Sequence, residues 1–150
     1  AFKPRIGHIV QRAQDAFNAR HDRLTQLLNG PSFHERVSRA IDRMLSAAAN
    51  PQSAAAEASS PRQLPCSVLA LDVDRFKQVN DTHGHLYGDL TLHALAYCLS
   101  DFCKEASKAS GVQLTAARPS GEEFLVLIEG TYDTSAAVEI ADQLRRRVVT

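Results

Sequence analysis

A chain of 150 residues with 44% hydrophobic and 23% charged residues has the size and composition of one soluble globular domain with its own core. Its 17 basic and 17 acidic residues cancel, so bulk charge points neither to nucleic-acid coating nor to membrane adhesion, and no apolar run approaches the roughly 20 residues of a spanning helix. Three cysteines, Cys66, Cys98 and Cys103, are an odd number without metal-type spacing, which predicts reduced thiols in a cytoplasmic protein.

In chain order, Ile6, Val10, Ala13 and Phe17 recur at alternating steps of four and three, the period of a coiled-coil seam, with polar residues between them. Residues 1–20 therefore read as an N-terminal helix ahead of a domain at 21–150; a single helix packing on its own domain is the plain alternative. Asn29-Gly30-Pro31 ends one element and starts another, since Pro suits a first helical turn, where its missing N–H is not needed. Phe33, Val37, Ala40, Ile41 and Met44 mark the apolar face of that second helix. From Ser46 the sequence turns to Ala, Ser and Pro, with Asn50-Pro51 and Ser60-Pro61, which predicts a mobile loop at about 47–65.

Val68 to Leu71 is a short apolar run after Pro65 and reads as a strand buried on both faces. It ends in Asp72 and Asp74, whose spacing by two sends both side chains to one face if the strand continues. Two carboxylates so projected repel unless a cation or donor lies between them; Mg²⁺ suits such oxygen ligands, and a solvated turn pair is the plain reading. Asn80-Asp81, Gly84-His85 and Gly88-Asp89 then place turn formers between the strand and a helix from about Gly88 to Ala106. In that helix Leu92, Leu95, Ala96, Leu99, Phe102 and Cys103 follow the i, i+3, i+4, i+7 pattern. Val112 to Arg118 and Glu123 to Ile128 read as a hairpin turning at Arg118-Pro119-Ser120-Gly121, with Glu122 and Glu123 at its tip. Asp133-Thr134 can cap a last helix whose inner face is Ala137, Ile140, Ala141, Leu144 and Val148. Strand, helix, strand, strand, helix predicts an α+β fold, the opening of a ferredoxin-like βαββαβ arrangement whose final strand is missing from these residues, as expected of either a fragment or a degenerate domain. His83 and His85 lack the further ligands a His-based metal site needs.

Several separated motifs agree in order and spacing with one family. DVDRFKQVND from Asp72 to Asp81, Gly84-His85, Gly88-Asp89 and RPSGEEF from Arg118 to Phe124 resemble the GGDEF domain of diguanylate cyclases. HDRLTQLLN from His21 to Asn29 resembles the motif that opens that domain, so the likeness spans most of Asp22 to Thr150. The resemblance implies a nucleotide-cyclase palm, a central antiparallel sheet with helices packed on it behind an N-terminal helix. It also implies a further strand, a hairpin and a helix with basic phosphate-binding residues, which this sequence does not reach. The implied reaction condenses two GTP into cyclic di-GMP and two pyrophosphates in a facing homodimer, under a sensory domain upstream.

Such a reaction needs a 3′-hydroxyl to attack an α-phosphorus in line, with charge neutralised by Mg²⁺ or Mn²⁺, two ions per active site. By resemblance the metal ligands are the carboxylates of Asp72 and Glu122 and the Val73 carbonyl, with Glu123 as base or further ligand. Main-chain N–H groups near Arg75 and Phe76 face phosphate and Lys77 stabilises developing charge. Guanine offers two N–H donors beside an acceptor, which matches the carboxylate of Asp89 with the carboxamide of Asn80, near His85 and an apolar wall at Leu92. The plain alternatives are a helix cap for Asp89 and a shaped turn for Asn80.

Departures from the pattern are few. Ser120 stands where Gly is usual, Glu122 replaces Asp, and Gln26 and Gly30 replace the usual Gly and Arg of the opening motif. The family's Arg-x-x-Asp inhibitory motif falls on Gly111 to Leu114 here and is absent, so product binding is expected only at the active site. Retention of Asp72, Glu122 and Glu123 favours the enzyme; a degenerate module that binds GTP or cyclic di-GMP as a sensor is the competing reading.

Overall fold

The computed structural model describes residues 3–49, 66–130 and 134–149. In chain order these form α1 (Lys3–Arg20), α2 (Gly30–Ala49), β1 (Cys66–Asp72), α3 (Phe76–His83), α4 (His85–Ser110), β2 (Gln113–Ser120), β3 (Glu123–Glu129) and α5 (Thr134–Val149). The strands make an antiparallel sheet in the order β1-β3-β2, and the fold is α+β. Most of the predicted loop at 47–65 lies outside the described residues, as does the cap at Asp133; residues 47–49 belong to α2.

The central strand organises the core because its two faces are covered by different helices. Phe124, Val126 and Ile128 pack with Leu92, Ala96, Leu99, Phe102 and Cys103 of α4 and with Ala137, Ile140 and Leu144 of α5. Leu127 points the other way, to Ala117 and to Phe33 of α2. Arg36 and Arg43 of α2 reach Glu129 at the end of β3, which fixes α2 across the sheet. All three cysteines are free, and burial pushes the Cys103 thiol up to about 11, so it is a packing residue and not a nucleophile.

β1 departs from the expectation of a strand buried on both faces. It is an edge strand among the described residues, and its side chains alternate: Leu69 and Leu71 pack on the core, while Val68 is 46% exposed. On α2 and α5, Ile41 and Val148, predicted on inner faces, are exposed. In α1, Ile6, Val10 and Phe17 are exposed, so the seam does not pack on the domain. Among the described residues no helix is long and apolar enough to cross a membrane.

The loop from α1 to α2 is held by its own side chains. Asn29 caps α2, its Oδ1 accepting from the Ser32 N–H at 3.0 Å, and donates from Nδ2 to the Ala19 carbonyl of α1 at 2.9 Å. Gln26 lies at φ 62, a left-handed conformation costing a residue with a Cβ roughly 1–2 kcal/mol. Its side chain makes one exposed bond to the Arg23 carbonyl. Gln26→Gly is therefore expected to stabilise the fold by about 0.5–1 kcal/mol, after allowance for glycine's larger unfolded-state entropy. Thermal unfolding should move up by about 2–5 °C, and a lower midpoint would mean that the side chain contributes more than the backbone strain costs.

Candidate active site

The sheet register brings the predicted carboxylates to one end. Asp72, the last residue of β1, pairs directly with Glu123, the first residue of β3, and both are exposed. The next pair inward, Leu71 and Phe124, turns to the core, so the two carboxylates leave the opposite face, beside a cavity of about 390 Å³ bordered by Pro119 and Leu125. Like charges directly opposite on neighbouring strands destabilise a sheet. Glu122 sits next to them in the hairpin turn, half-buried. That turn falls later than the sequence indicated: Ser120 still pairs with Glu123, and Gly121-Glu122 make the loop, with Gly121 at φ 53. A register irregularity between Ala117 and Ser120 absorbs the predicted Pro119 turn into β2.

β1 stops at Asp72, which leaves Asp74 in the turn to α3 and removes it from the strand-period argument. Arg75 precedes α3 in a left-handed conformation, φ 57 and ψ 30, with no side-chain cap. Non-glycine residues so held concentrate at functional sites. The Phe76 N–H donates to the Val73 carbonyl at 3.2 Å, so this N–H is committed, while the carbonyl keeps a second lone pair. Lys77 is exposed in the first turn of α3.

Asn80 and Asp89 lie on two helices and not in the predicted run of turns, because Gly84 alone breaks the path between α3 and α4. Asn80 is in α3, its carbonyl accepting from the Gly84 N–H at 2.8 Å; His85 opens α4 and is exposed. Asp89 is exposed inside α4, whose N-cap is Gly84, so the helix-cap reading of Asp89 falls away. The Asn80 side chain lies against Gly88: a Cβ there would come within 1.9 Å of Asn80 Oδ1. Leu92 is 2% exposed and belongs to the core beneath this pair.

An arrangement that sequence reasoning missed ties the opening loop to the hairpin. Arg118 donates from Nε and Nη2 to the Gly121 carbonyl, at 2.9 and 2.6 Å, and from Nη1 to Asp22 Oδ1 at 2.9 Å. Asp22 Oδ1 also accepts from the Thr25 N–H and hydroxyl, at 2.9 and 2.6 Å. Burial alone would raise the Asp22 carboxyl, but the Thr25 and Arg118 hydrogen bonds and the guanidinium charge outweigh it and hold it below 3.8. Its contribution to stability is thus complete above that value and lost as pH falls through the lower folded one. Asp22 and Arg118 each stand in a motif already singled out, but neither motif indicates the other as its partner.

Among the described residues no three His, Cys, Asp or Glu side chains form a metal cluster. The donors present still fit Mg²⁺, which binds through one or two carboxylates together with substrate phosphates and water, and Asp72, Glu122 and the Val73 carbonyl are oxygen donors of that kind, with Glu123 adjacent.

A family model described as diguanylate cyclase, GGDEF domain, matches residues 19–150. Diguanylate cyclase A of Treponema denticola is 37% identical over 90 residues, 60% of this chain and 22% of that protein. Diguanylate cyclase TpbB of Pseudomonas aeruginosa is 33% identical over 134 residues, 89% of this chain and 26% of its own length. The chain thus spans about a quarter or less of these curated relatives. Among solved structures, a sensory box/GGDEF family protein from Caulobacter crescentus is 34% identical with a TM-score of 0.63, covering 85% of this chain and 69% of that one. The GGDEF domain of TpbB from Pseudomonas aeruginosa PAO1 is 31% identical with a TM-score of 0.64, covering 85% and 61%.

Proposed function

The chain belongs to the GGDEF domain family of diguanylate cyclases, and from that premise we propose that it forms half of an active site that condenses two GTP into cyclic di-GMP and two pyrophosphates when two copies face each other. Residues 21–150 are the cyclase domain in this reading, and residues 1–20 are the helix that links it to an upstream sensory input. The observation that carries it is the direct pairing of Asp72 with Glu123 beside Glu122, an arrangement of like charge at a sheet end that costs stability and suits a cation-dependent reaction.

Asp72, Glu122 and the Val73 carbonyl hold Mg²⁺ or Mn²⁺, which when bound supplies charge neutralisation at the triphosphate and at the attacking oxygen. Glu123 accepts the proton of the attacking 3′-hydroxyl. Lys77 balances charge on the phosphates. Asn80 presents its carboxamide and Asp89 its carboxylate to the guanine edge, with His85 at the rim and Leu92 as the apolar floor beneath. A sensor module without turnover is the second reading; retention of Asp72, Glu122 and Glu123 supports the first.

The test is incubation of the full-length protein with GTP and Mg²⁺ followed by chromatography for cyclic di-GMP. Product is expected, and none from a folded, dimeric sample overturns the enzyme. Since Gly111 to Leu114 carry no Arg-x-x-Asp motif, product inhibition is expected to be competitive and relieved by raising GTP. Noncompetitive inhibition in initial-rate measurements would put the product elsewhere.

A further inference from the structure

We infer that Arg118 is a positioning residue for the hairpin tip, and that Asp22 anchors it. The inference rests on the cyclase reading for its kinetic consequence but not for its structural one. The tip needs external support for two reasons. Its loop is only Gly121-Glu122, with Gly121 held at φ 53, and the ladder behind it is broken between Ala117 and Ser120.

The Arg118 guanidinium substitutes for that ladder. Two of its nitrogens converge on one acceptor, the Gly121 carbonyl, which closes the tip onto the strand that leads into it. The third nitrogen reaches Asp22, a residue 96 positions away in sequence, so the tip is referred to the opening loop and not to its own strand. That loop is rigid at the point of attachment. Thr25 satisfies Asp22 twice, the Arg118 N–H donates to the Leu28 carbonyl at 2.9 Å, and Leu28 bridges Ala117. Asn29 ties the same loop to the last turn of α1 through the Ala19 carbonyl. The Arg118 side chain is 12% exposed, so water competes poorly for its bond to Asp22, while the two bonds to the Gly121 carbonyl are exposed. Because Gly121 immediately precedes Glu122, losing the fork moves both glutamates against Asp72. Displacements of about 1 Å at reacting groups can cost about 100-fold in rate.

Lysine separates this role from simple charge pairing. Arg118→Lys keeps a cation for Asp22 but cannot place two donors on Gly121 and a third on Asp22 at once. In the full-length protein, Arg118→Lys and Asp22→Ala are expected to lower kcat about 10- to 100-fold with KM for GTP within about two-fold. Hydrogen exchange of the peptide spanning Ser120 to Phe124 should accelerate at least about ten-fold, while that of Leu125 to Ile128 stays at the parent rate. Unchanged exchange at the tip, or equal acceleration throughout the sheet, overturns the inference, as does a rise in KM with kcat unaltered. If the parent protein makes no cyclic di-GMP, the cyclase reading falls while local exchange still decides the clamp. Should Arg118→Lys not fold, Asp22→Ala, which leaves the Arg118 fork whole and removes the oxygen that anchors it, decides it alone.

Discussion

Glu123→Gln is expected to suppress formation of cyclic di-GMP by about 10²- to 10⁴-fold while leaving GTP affinity within about two-fold, the range associated with loss of a positioned general base. The substitution keeps the side chain's size and its place opposite Asp72 but removes the oxygen that can take a proton. Stability should move the other way. Because Asp72 and Glu123 are directly paired like charges, neutralising one is expected to stabilise the sheet by about 0.2–1 kcal/mol. Calorimetric GTP binding, chromatographic turnover and thermal unfolding of one preparation check all three. Turnover near the parent rate would remove Glu123 from the proton-accepting role and shift attention to Glu122. A lower unfolding midpoint would mean that the pair is already neutralised by a partner other than a cation.

The sequence made the hairpin and the carboxylates readable because both depend on short-range signals. Alternation from Glu123 to Ile128 fixes which residues face α4, and that alone determines that Asp72 and Glu123 share a face once β1 pairs in register. Position along the turn was less legible. Pro119 is a good second turn residue, yet an irregularity in the ladder lets it sit in β2, and Gly121 then takes the turn. The predicted start of α4 was late by about a turn for a similar reason. Gly88 and Asp89 look like breakers, but the helix tolerates an interior glycine where a neighbouring helix needs the space. The exposure of Val68 could not be read from an apolar run, since an edge strand and a buried strand share that composition. The Asp22–Arg118 contact lay beyond local reasoning altogether: nothing within either motif specifies the other as its partner.

Gly88 carries the last expected result, because it separates a structural effect from a recognition effect within one residue. An alanine at an interior helical position is normally favoured over glycine by about 1 kcal/mol. Here the added Cβ would lie 1.9 Å from Asn80 Oδ1, 2.9 Å from its Cγ and 3.1 Å from Phe76 Cζ. The nearest atoms belong to the end of a side chain and can swing away, so the fold need not break. Gly88→Ala is therefore expected to change the unfolding midpoint by less than about 3 °C, propensity offsetting displacement. Nucleotide binding should not survive so well. With the Asn80 carboxamide turned out, the guanine edge loses one partner, which costs on the order of 1–3 kcal/mol, or about 5- to 150-fold in GTP affinity. Asn80→Ala should weaken binding by a similar factor, and the double variant should be no worse than either single one, since both remove the same contact. Additive losses would mean that Gly88 acts through Asp89 or the α4 backbone and not through Asn80. Unchanged GTP affinity in Gly88→Ala, with Asn80 displaced, would take the carboxamide out of guanine recognition.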